Sequence, residues 1–303
     1  MGIREIMEFV RVEHTLFSLP FVLIGFVIAD NRFGAGDLDL LWIIVAAIGA
    51  RGLAMALNRI VDRDIDAENP RTASRHLPAG TISMGSAWML AASFLGVLLF
   101  AAWMLNEVAL KMSWLPVLAF VVYPYTKRVS WICHFWIGFC LALAPAGAWV
   151  AIAADTYGWG SITGQLEGAN EFLWFPEVFF VSLGVALWIT AFDVNYALMD
   201  REVDRDQGIK SFPSIFGEES SMWLSVALTL GWISSFIMAG FESYDFWAPS
   251  VLIMGLLNIN VVTRGARGAL VSDDSMDIFQ RDLFMYSMLT GWVLLGSLYL
   301  LGP

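Results

Sequence analysis

The sequence has little charge, few histidines and almost no cysteine. Of its 303 residues, 15% are Asp, Glu, Lys or Arg, whereas about a quarter are charged in an average soluble domain. It contains three histidines and two cysteines, Cys133 and Cys140. The cysteines lie seven residues apart in one apolar run, so a helix would separate them by about 10 Å along its axis. That separation excludes a disulfide between them, and we interpret both as small buried apolar residues.

The chain also lacks a broad basic surface. It has 17 Lys and Arg against 28 Asp and Glu, which gives a formal net charge of −11 and a pI of about 4.6. Binding of nucleic acid depends on neutralising its phosphates with Lys and Arg, so neither DNA nor RNA is an expected partner. Instead, 58% of the residues are apolar and the mean hydropathy is +0.67. These values indicate a membrane protein.

Hydropathy predicts about nine transmembrane helices in a single domain that covers residues 1–303. A bilayer core requires about 20 apolar residues per helix. The windows that meet this requirement are 14–31, 38–58, 84–105, 108–125, 134–154, 172–195, 219–240, 245–263 and 282–301. If these helices alternate in direction, all Lys and Arg except Arg32, Arg51 and Lys111 lie on one side. By the positive-inside rule, that side and the N-terminus are cytoplasmic.

Two of the predicted cytoplasmic loops begin with similar acidic motifs. Residues 58–66 read NRIVDRDID and residues 196–204 read YALMDREVD, so DRDID aligns with DREVD at an offset of 138 residues. Helical residues four apart share a face, so each motif forms a polar stripe. The two stripes are Asn58, Asp62 and Asp66, and Asp193, Tyr196, Asp200 and Asp204. This internal repeat predicts two halves of the protein that face each other across a shared site.

The stripes predict a site for magnesium and phosphate. Carboxylates at the ends of transmembrane helices cost free energy and repel one another unless a cation lies among them. Mg²⁺ prefers a few carboxylates together with phosphate oxygens, and neither motif has the neighbouring His or Cys that zinc or iron sites need. Four aspartates with two Mg²⁺ and a diphosphate still leave a negative excess. The basic residues on the same side that could balance it are Arg63, Arg71, Arg75, Lys127, Arg128, Arg201 and Lys210.

These motifs resemble those of the UbiA superfamily of intramembrane prenyltransferases. Residues 58–66 fit the family pattern N-x-x-x-D-x-x-x-D, and NPRTASRHLPAG at 69–80 is similar to R-T-x-x-R-P-L-P-x-G. Residues 193–208 fit D-x-x-Y-A-x-x-D-x-x-x-D-x-x-x-G, and YPYTKR at 123–128 and the segment 134–149 are also similar to the family. His76 departs from the usual Pro, and Glu202-Val203-Asp204 departs from the doubled Asp that ubiquinone-type members often have.

The resemblance implies an all-α polytopic membrane protein in which nine helices surround a central cavity and the two Asp-rich motifs face each other. It also implies Mg²⁺-dependent transfer from an allylic prenyl diphosphate inside the membrane. The NPRTASR and YPYTKR segments are most similar to members that prenylate 4-hydroxybenzoate or related quinone precursors, so a small aromatic acceptor is expected. A glyceryl phosphate lipid precursor is the alternative acceptor. An ion-coupled secondary transporter is the alternative class of function, and no obligatory protein partner is expected.

The candidate site residues combine the two stripes with the basic residues near them. The candidate metal ligands are Asn58, Asp62, Asp66, Asp200 and Asp204. The candidate catalytic residues are the four aspartates of this set and Asp193, which would orient a ligand or help remove the acceptor's proton. The candidate substrate-binding residues are Asn58, Arg63, Arg75, Lys127, Arg128, Tyr196, Lys210, Arg51 and His14. Two of these keep a second interpretation: Arg51 could pair within the helix bundle, and His14 could cap the first helix at the membrane interface.

Overall fold

The computed structural model describes residues 2–11, 15–164, 172–240, 245–268 and 273–299, and within these ranges its regular secondary structure is helical. The long helices are α2 (Thr15–Phe33), α3 (Asp39–Val61), α5 (Met84–Leu105), α7 (Trp114–Val129), α8 (Cys133–Tyr157), α10 (Glu177–Tyr196), α12 (Phe212–Met238), α13 (Trp247–Gly268) and α14 (Asp273–Tyr299). The short ones are α1 (Ile3–Phe9), α4 (Arg63–Glu68), α6 (Glu107–Met112), α9 (Gly160–Thr163) and α11 (Arg201–Asp206), with a 3₁₀ turn at Ala197–Asp200.

Seven segments of the described chain are long and apolar enough to cross a membrane. They are Thr15–Phe33, Asp39–Val61, Met84–Leu105, Glu107–Val129, Cys133–Tyr157, Glu177–Asp206 and Phe212–Met238. Helices α13 and α14 occupy the last two predicted windows but are not among the seven, and α13 carries Asn258 and Asn260 in its middle. The prediction of an all-α polytopic membrane protein is confirmed, while the predicted count of nine spans is slightly high by this measure.

Large apolar side chains on the outer surface are consistent with a lipid environment. Met89 on α5 and Leu256 on α13 are each 66% exposed, and Trp103 is 62% exposed. Contact with water would make such surfaces costly, whereas lipid tails make them favourable. The outer faces of these helices therefore face lipid.

Helices α2, α8, α10, α12, α13 and α14 form a closed ring around a solid aromatic core. Helix α10 packs between α8 and α12, α13 packs between α12 and α14, and α2 contacts both α14 and α8. The largest buried side chains inside this ring are Trp149, Trp188, Trp232, Trp247, Phe21 and Phe236. Close packing of this kind resists displacement, so it fixes α8 and α10, which carry part of the candidate site.

A cavity of about 430 Å³ lies beside this core. It is lined by residues of α2, α3 and α5 to α9, so in the described chain it belongs to the first half rather than to the centre of all the long helices. Much of its wall is made of small residues, including Ala50, Ala54, Ala144 and Gly147. The cavity extends from Asn58, in the first acidic motif, to Ile162 on α9.

Candidate functional site

Each acidic motif lies where a helix breaks. Asp62 lies between α3 and α4 with φ −91° and ψ 4°, and Asp200 is the last residue of the 3₁₀ turn, directly before α11, with φ −100° and ψ 4°. Each break is followed by a helix of six residues. The same backbone conformation therefore recurs 138 residues apart, which supports the predicted internal repeat.

The first stripe lies on one face, as the spacing predicts. The backbone N–H of Asp62 donates to Asn58 O at 2.9 Å and that of Asp66 donates to Asp62 O at 2.8 Å, so helical hydrogen bonding continues through the break. Asn58 Nδ2 donates to Asp62 Oδ2 at 2.9 Å. The side chains of Asp62 and Asp66 are only 2% and 7% exposed. Such buried carboxylates require compensating charge.

Basic side chains from the following loop and from α7 supply that charge. Lys127 Nζ lies 2.6 Å from Asp62 Oδ2, and Arg128 Nη2 lies 3.5 Å from Asp62 Oδ1. Arg75 Nη1 lies 2.8 Å from both carboxylate oxygens of Asp66. Burial raises the pKa of Asp62 above its usual value, while Lys127 and Arg128 act in the opposite direction. The structure thus brings Arg75, Lys127 and Arg128 to the first motif.

The loop after the first motif also contacts the second motif. Asn69 Nδ2 and Arg71 Nε each donate to Asp200 Oδ1 at 2.8 Å, and Arg71 Nη2 pairs with Asp200 Oδ2. The Arg71 guanidinium also lies 5.8 Å from the ring centroid of Tyr196. Gln207 Nε2 donates to Ile65 O at 3.3 Å. These hydrogen bonds join the two motifs, as the internal repeat predicts.

The remaining carboxylates of the second motif lie beside the same cluster. Asp193 Oδ2 is 2.7 Å from His134 Nδ1, and the Asp193 side chain keeps 23% exposure. Tyr123, which lines the cavity, interacts electrostatically with both Asp62 and Asp193. Asp204 lies within electrostatic range of Asp200, Lys127 and His134. The cluster therefore adjoins the end of the cavity at which Asn58 lies.

Two predicted substrate-binding residues, Arg63 and Lys210, do not bring their side chains into this cluster. Arg63 is exposed, and its Nε atom lies 3.9 Å from Oδ1 of the neighbouring Asp64. Successive residues of a helix point about 100° apart, so the side chain of Arg63 points away from that of Asp62. The side chain of Lys210 is also exposed. Lys210 contacts the site through its backbone N–H, which donates to Lys127 O at 2.9 Å. His14 lies outside the described residues. Arg51, in contrast, lines the cavity.

Sequence reasoning missed two side chains that hold site carboxylates. Asn69 is a buried residue at the start of the NPRT segment, and its role depends on a partner 131 residues away. His134 is not among the candidate residues of the sequence analysis, because its acidic partner Asp193 stands 59 residues away in the chain. The only signal for either residue is its position inside a segment that resembles the family.

The donor set fits the chemistry of Mg²⁺. The atoms that could bind a metal are the carboxylate and amide oxygens of Asn58, Asp62, Asp66 and Asp200. Of these, Oδ1 of Asp62 is buried without a hydrogen-bond partner. No group of three or more His, Cys, Asp or Glu in the described part of the chain is arranged to hold a metal. The carboxylates are instead paired with Lys and Arg. The residues therefore fit a hard cation, which would compete with these basic side chains.

Comparisons with known proteins identify the family and the fold of this chain. The model of the UbiA prenyltransferase family matches residues 18–300. The chain is 28% identical over 246 residues to 4-hydroxybenzoate octaprenyltransferase of Vibrio atlanticus, a match that covers 80% of this chain and 79% of that one. It is also similar to the apo structure of a UbiA homologue from Aeropyrum pernix K1, with 28% identity, a TM-score of 0.78 and coverage of 95% and 98% of the two chains.

A second solved structure is similar in fold. It is a UbiA homologue from Archaeoglobus fulgidus bound to GPP and Mg²⁺, with 20% identity, a TM-score of 0.65 and coverage of 96% of this chain and 99% of that one. At this identity the comparison shows a shared fold along nearly the whole chain.

Proposed function

The chain belongs to the UbiA prenyltransferase family, and on this premise we propose that it transfers a prenyl group from an allylic prenyl diphosphate to a small aromatic acceptor such as 4-hydroxybenzoate, with Mg²⁺ as cofactor. The observation that carries the proposal is the cluster of paired carboxylates and basic side chains at one end of an apolar cavity. The name of the Vibrio atlanticus relative supports the aromatic acceptor, and the ligands of the Archaeoglobus fulgidus homologue support the donor and the metal.

The diphosphate of the donor binds among Arg71, Arg75, Lys127 and Arg128. Arginine suits bidentate contacts with phosphate oxygens, and all four side chains already contact the carboxylates or backbone of the two motifs. When bound by Asn58 and the aspartates of both motifs, Mg²⁺ would neutralise charge that develops on the leaving diphosphate. Two Mg²⁺ and a diphosphate together add only about one positive charge, so a cluster with balanced charges can accept them.

The cavity holds the prenyl tail and excludes water from the allylic cation. Among the described residues that line it, Arg51 is the single charged side chain, and most of the others are apolar. Water near an allylic cation would capture it and release a prenyl alcohol. A cavity with apolar walls therefore favours attack by a bound acceptor over hydrolysis.

The acceptor binds between Arg51 and Asp193. Arg51 lies seven residues before Asn58 on the same face of α3 and lines the cavity, so its charge attracts the carboxylate of an aromatic acid. Asp193, whose side chain lies beside His134 and keeps 23% exposure, accepts a hydrogen bond from the acceptor hydroxyl. It then helps to remove the proton that the ring carbon loses when the new carbon–carbon bond forms.

The location of the carboxylates favours this function over ion-coupled transport. Carrier sites usually lie near the bilayer midplane, whereas Asp62 directly follows the end of α3 and Asp200 ends the 3₁₀ turn after α10. Both lie beside the loop that carries Arg71 and Arg75. The positive-inside rule assigns this end of the bundle to the cytoplasm. The donor diphosphate would then enter from the cytoplasmic side.

The test is an acceptor panel with the purified protein in lipid nanodiscs. Geranyl diphosphate is incubated with 4-hydroxybenzoate, with 4-hydroxybenzyl alcohol, which lacks the carboxylate, or with a glyceryl phosphate lipid precursor, each with Mg²⁺ or EDTA. We expect Mg²⁺-dependent pyrophosphate release and a prenylated ring only with 4-hydroxybenzoate. Product with the glyceryl phosphate alone would overturn the aromatic acceptor. Absence of both product and Mg²⁺-dependent geranyl diphosphate binding would overturn the proposed function.

A matched pair of variants controls for charge and folding. Asp62→Asn changes a carboxylate that is 2% exposed and belongs to the cluster, whereas Asp64→Asn makes the same change at a side chain that is 95% exposed. Loss of product in Asp62→Asn with full activity in Asp64→Asn is expected. Equal activity in the two variants would contradict the role of the first motif.

A further inference from the structure

His134 connects three helices beside the acidic motifs. It lies in the first turn of α8, and its side chain is 3% exposed. Its Nδ1 atom is 2.7 Å from Asp193 Oδ2 on α10, and its Nε2 atom accepts a hydrogen bond from the backbone N–H of Phe212 at 3.0 Å. Phe212 is the first residue of α12. Both ring nitrogens therefore have defined partners on different helices.

These two partners determine which nitrogen carries the proton. A backbone N–H can only donate, so Nε2 must present its lone pair to Phe212. The ring proton then lies on Nδ1 and is donated to the Asp193 carboxylate. In this arrangement His134 is neutral, and its orientation is fixed at both ends.

Close packing of α8 on α10 keeps His134 in place. A Cβ atom at Gly138, one turn after His134, would lie only 2.4 Å from Thr190 Oγ1 and 2.7 Å from Ala186 O. Thr190 Oγ1 also donates to the carbonyl oxygen of His134 at 3.1 Å. The absence of a side chain at Gly138 allows this approach, so the imidazole and the carboxylate cannot readily move apart.

The Phe212 end of the bridge leads to the donor side of the site. The backbone N–H of Lys210, two residues before Phe212, donates to Lys127 O at 2.9 Å. The side chain of Lys127 in turn holds Asp62 at 2.6 Å. A short series of hydrogen bonds therefore runs from Asp193 through His134 and the segment 210–212 to the first acidic motif.

We propose that His134 is a positioning residue: it holds the Asp193 carboxylate toward the acceptor and ties it to the segment 210–212 beside the diphosphate site. One oxygen of Asp193 is engaged by His134, and the partial exposure of the side chain leaves the carboxylate accessible to a ligand. The inference rests on the proposed function for the contact between Asp193 and the acceptor. The hydrogen-bonded bridge itself rests on the geometry alone.

Three substitutions separate the two hydrogen bonds. In His134→Asn the amide nitrogen takes the place of Nδ1, so the bond to Asp193 is kept and the bond to Phe212 is lost. In His134→Gln the amide oxygen reaches the place of Nε2, so the bond to Phe212 is kept and the bond to Asp193 is lost. His134→Phe removes both bonds while it retains a ring.

Steady-state rates with geranyl diphosphate and 4-hydroxybenzoate measure the effect on each substrate. We expect His134→Gln and His134→Phe to lower kcat/KM for 4-hydroxybenzoate by about 10- to 100-fold, with the KM for geranyl diphosphate unchanged. His134→Asn should stay within about threefold of the wild type. In an Asp193→Asn background, His134→Gln should cause no further loss. Equal decreases of kcat/KM in all three variants, or a similar decrease for both substrates, would show that His134 only stabilises the fold.

A spectroscopic readout tests the bridge independently of turnover. The chain has three histidines, so ¹⁵N-histidine labelling gives few signals, and His134→Asn identifies the one of interest. We expect a neutral ring with its proton on Nδ1, and a shift of this signal in Asp193→Asn. A charged ring, or a proton on Nε2, would overturn the inference. If the wild type prenylates a different acceptor, this signal still tests the bridge, and the kinetic comparison uses that acceptor.

Discussion

Removal of Lys127 should make the stability of the protein depend more strongly on Mg²⁺. In Lys127→Met, Asp62 loses the cation that lies 2.6 Å from its Oδ2 atom, and Arg128, 3.5 Å from Oδ1, is the nearest cation that remains. If Asp62 is a metal ligand, Lys127 and Mg²⁺ compete for the same carboxylate. The variant should therefore be less stable without metal and should bind Mg²⁺ more tightly than the wild type.

The structure sets the size of the expected effect. Loss of one partner from a buried ion pair costs about 3–5 kcal/mol of unfolding free energy. Lys127 is 26% exposed and Arg128 remains, so we expect about 2 kcal/mol, or a decrease in Tm of about 4 °C for a chain of this length. Mg²⁺ at 100 times its Kd raises the free energy of unfolding by about 2.7 kcal/mol. At the same Mg²⁺ concentration, each tenfold decrease in Kd raises it further, by about 1.4 kcal/mol.

Thermal unfolding in detergent, measured at increasing Mg²⁺ against an EDTA reference, tests this prediction. Lys127→Arg is the matched control, because it keeps the positive charge beside Asp62. The double variant Lys127→Met, Asp62→Asn removes both charges and should show a smaller Mg²⁺ shift than the wild type. The reasoning is refuted if Mg²⁺ raises the Tm of Lys127→Met and of the wild type equally, or if the double variant keeps the larger shift.

Three further substitutions test other parts of the site. Asp200→Asn should abolish prenyl transfer in a protein that still folds, and full turnover would contradict the role of the second motif. Arg51→Gln should raise the KM for 4-hydroxybenzoate at least tenfold and leave the KM for geranyl diphosphate unchanged; an effect on the donor alone would contradict an acceptor role. Gly147→Phe should select against long donors, because a Cβ atom at Gly147 meets nothing within 4 Å and projects into the cavity. Unchanged use of geranyl and longer prenyl diphosphates would exclude this part of the cavity as the tail site.

Local spacing was enough to predict the first acidic stripe. Residues four apart share a helical face regardless of what surrounds them, and Asn58 and Asp62 indeed form a hydrogen bond. The second stripe differs, because a 3₁₀ turn at Ala197–Asp200 interrupts the regular helical spacing between Asp193 and Asp204. Properties that depend only on helical periodicity can therefore be read from the sequence.

Contacts between distant segments were not available from spacing. Asn69 and Arg71 reach Asp200 across 131 and 129 residues, and His134 reaches Asp193 across 59 residues. Only the packing of α8 on α10, and the path of the loop after α4, brings these groups together. Arg63 shows the converse: it stands beside Asp62 in the sequence, yet its side chain lies away from the cluster.

Hydropathy located the helices but not their ends. The window 219–240 corresponds to α12, which begins at Phe212 and contains a kink at Gly217 with φ +80°, and the window 282–301 corresponds to α14, which begins at Asp273. Apolar content measures contact with lipid, whereas a helix can continue into polar surroundings when its backbone hydrogen bonds are satisfied. Helices α13 and α14 are joined by a hydrogen bond from Asn258 Nδ2 to Thr290 Oγ1 at 3.0 Å, which explains polar residues within their apolar windows.

The most direct test of the account is a structure of the protein with Mn²⁺ and a thiolo analogue of geranyl diphosphate that does not ionise. Anomalous scattering locates Mn²⁺ in place of Mg²⁺. We predict Mn²⁺ and the diphosphate between the two acidic motifs, with ligands from Asp62 or Asp66 and from Asp200 or Asp204, and with the geranyl chain in the cavity beside Gly147. Mn²⁺ held by one motif alone, or a geranyl chain outside the cavity, would contradict a single site shared by the two halves of the protein.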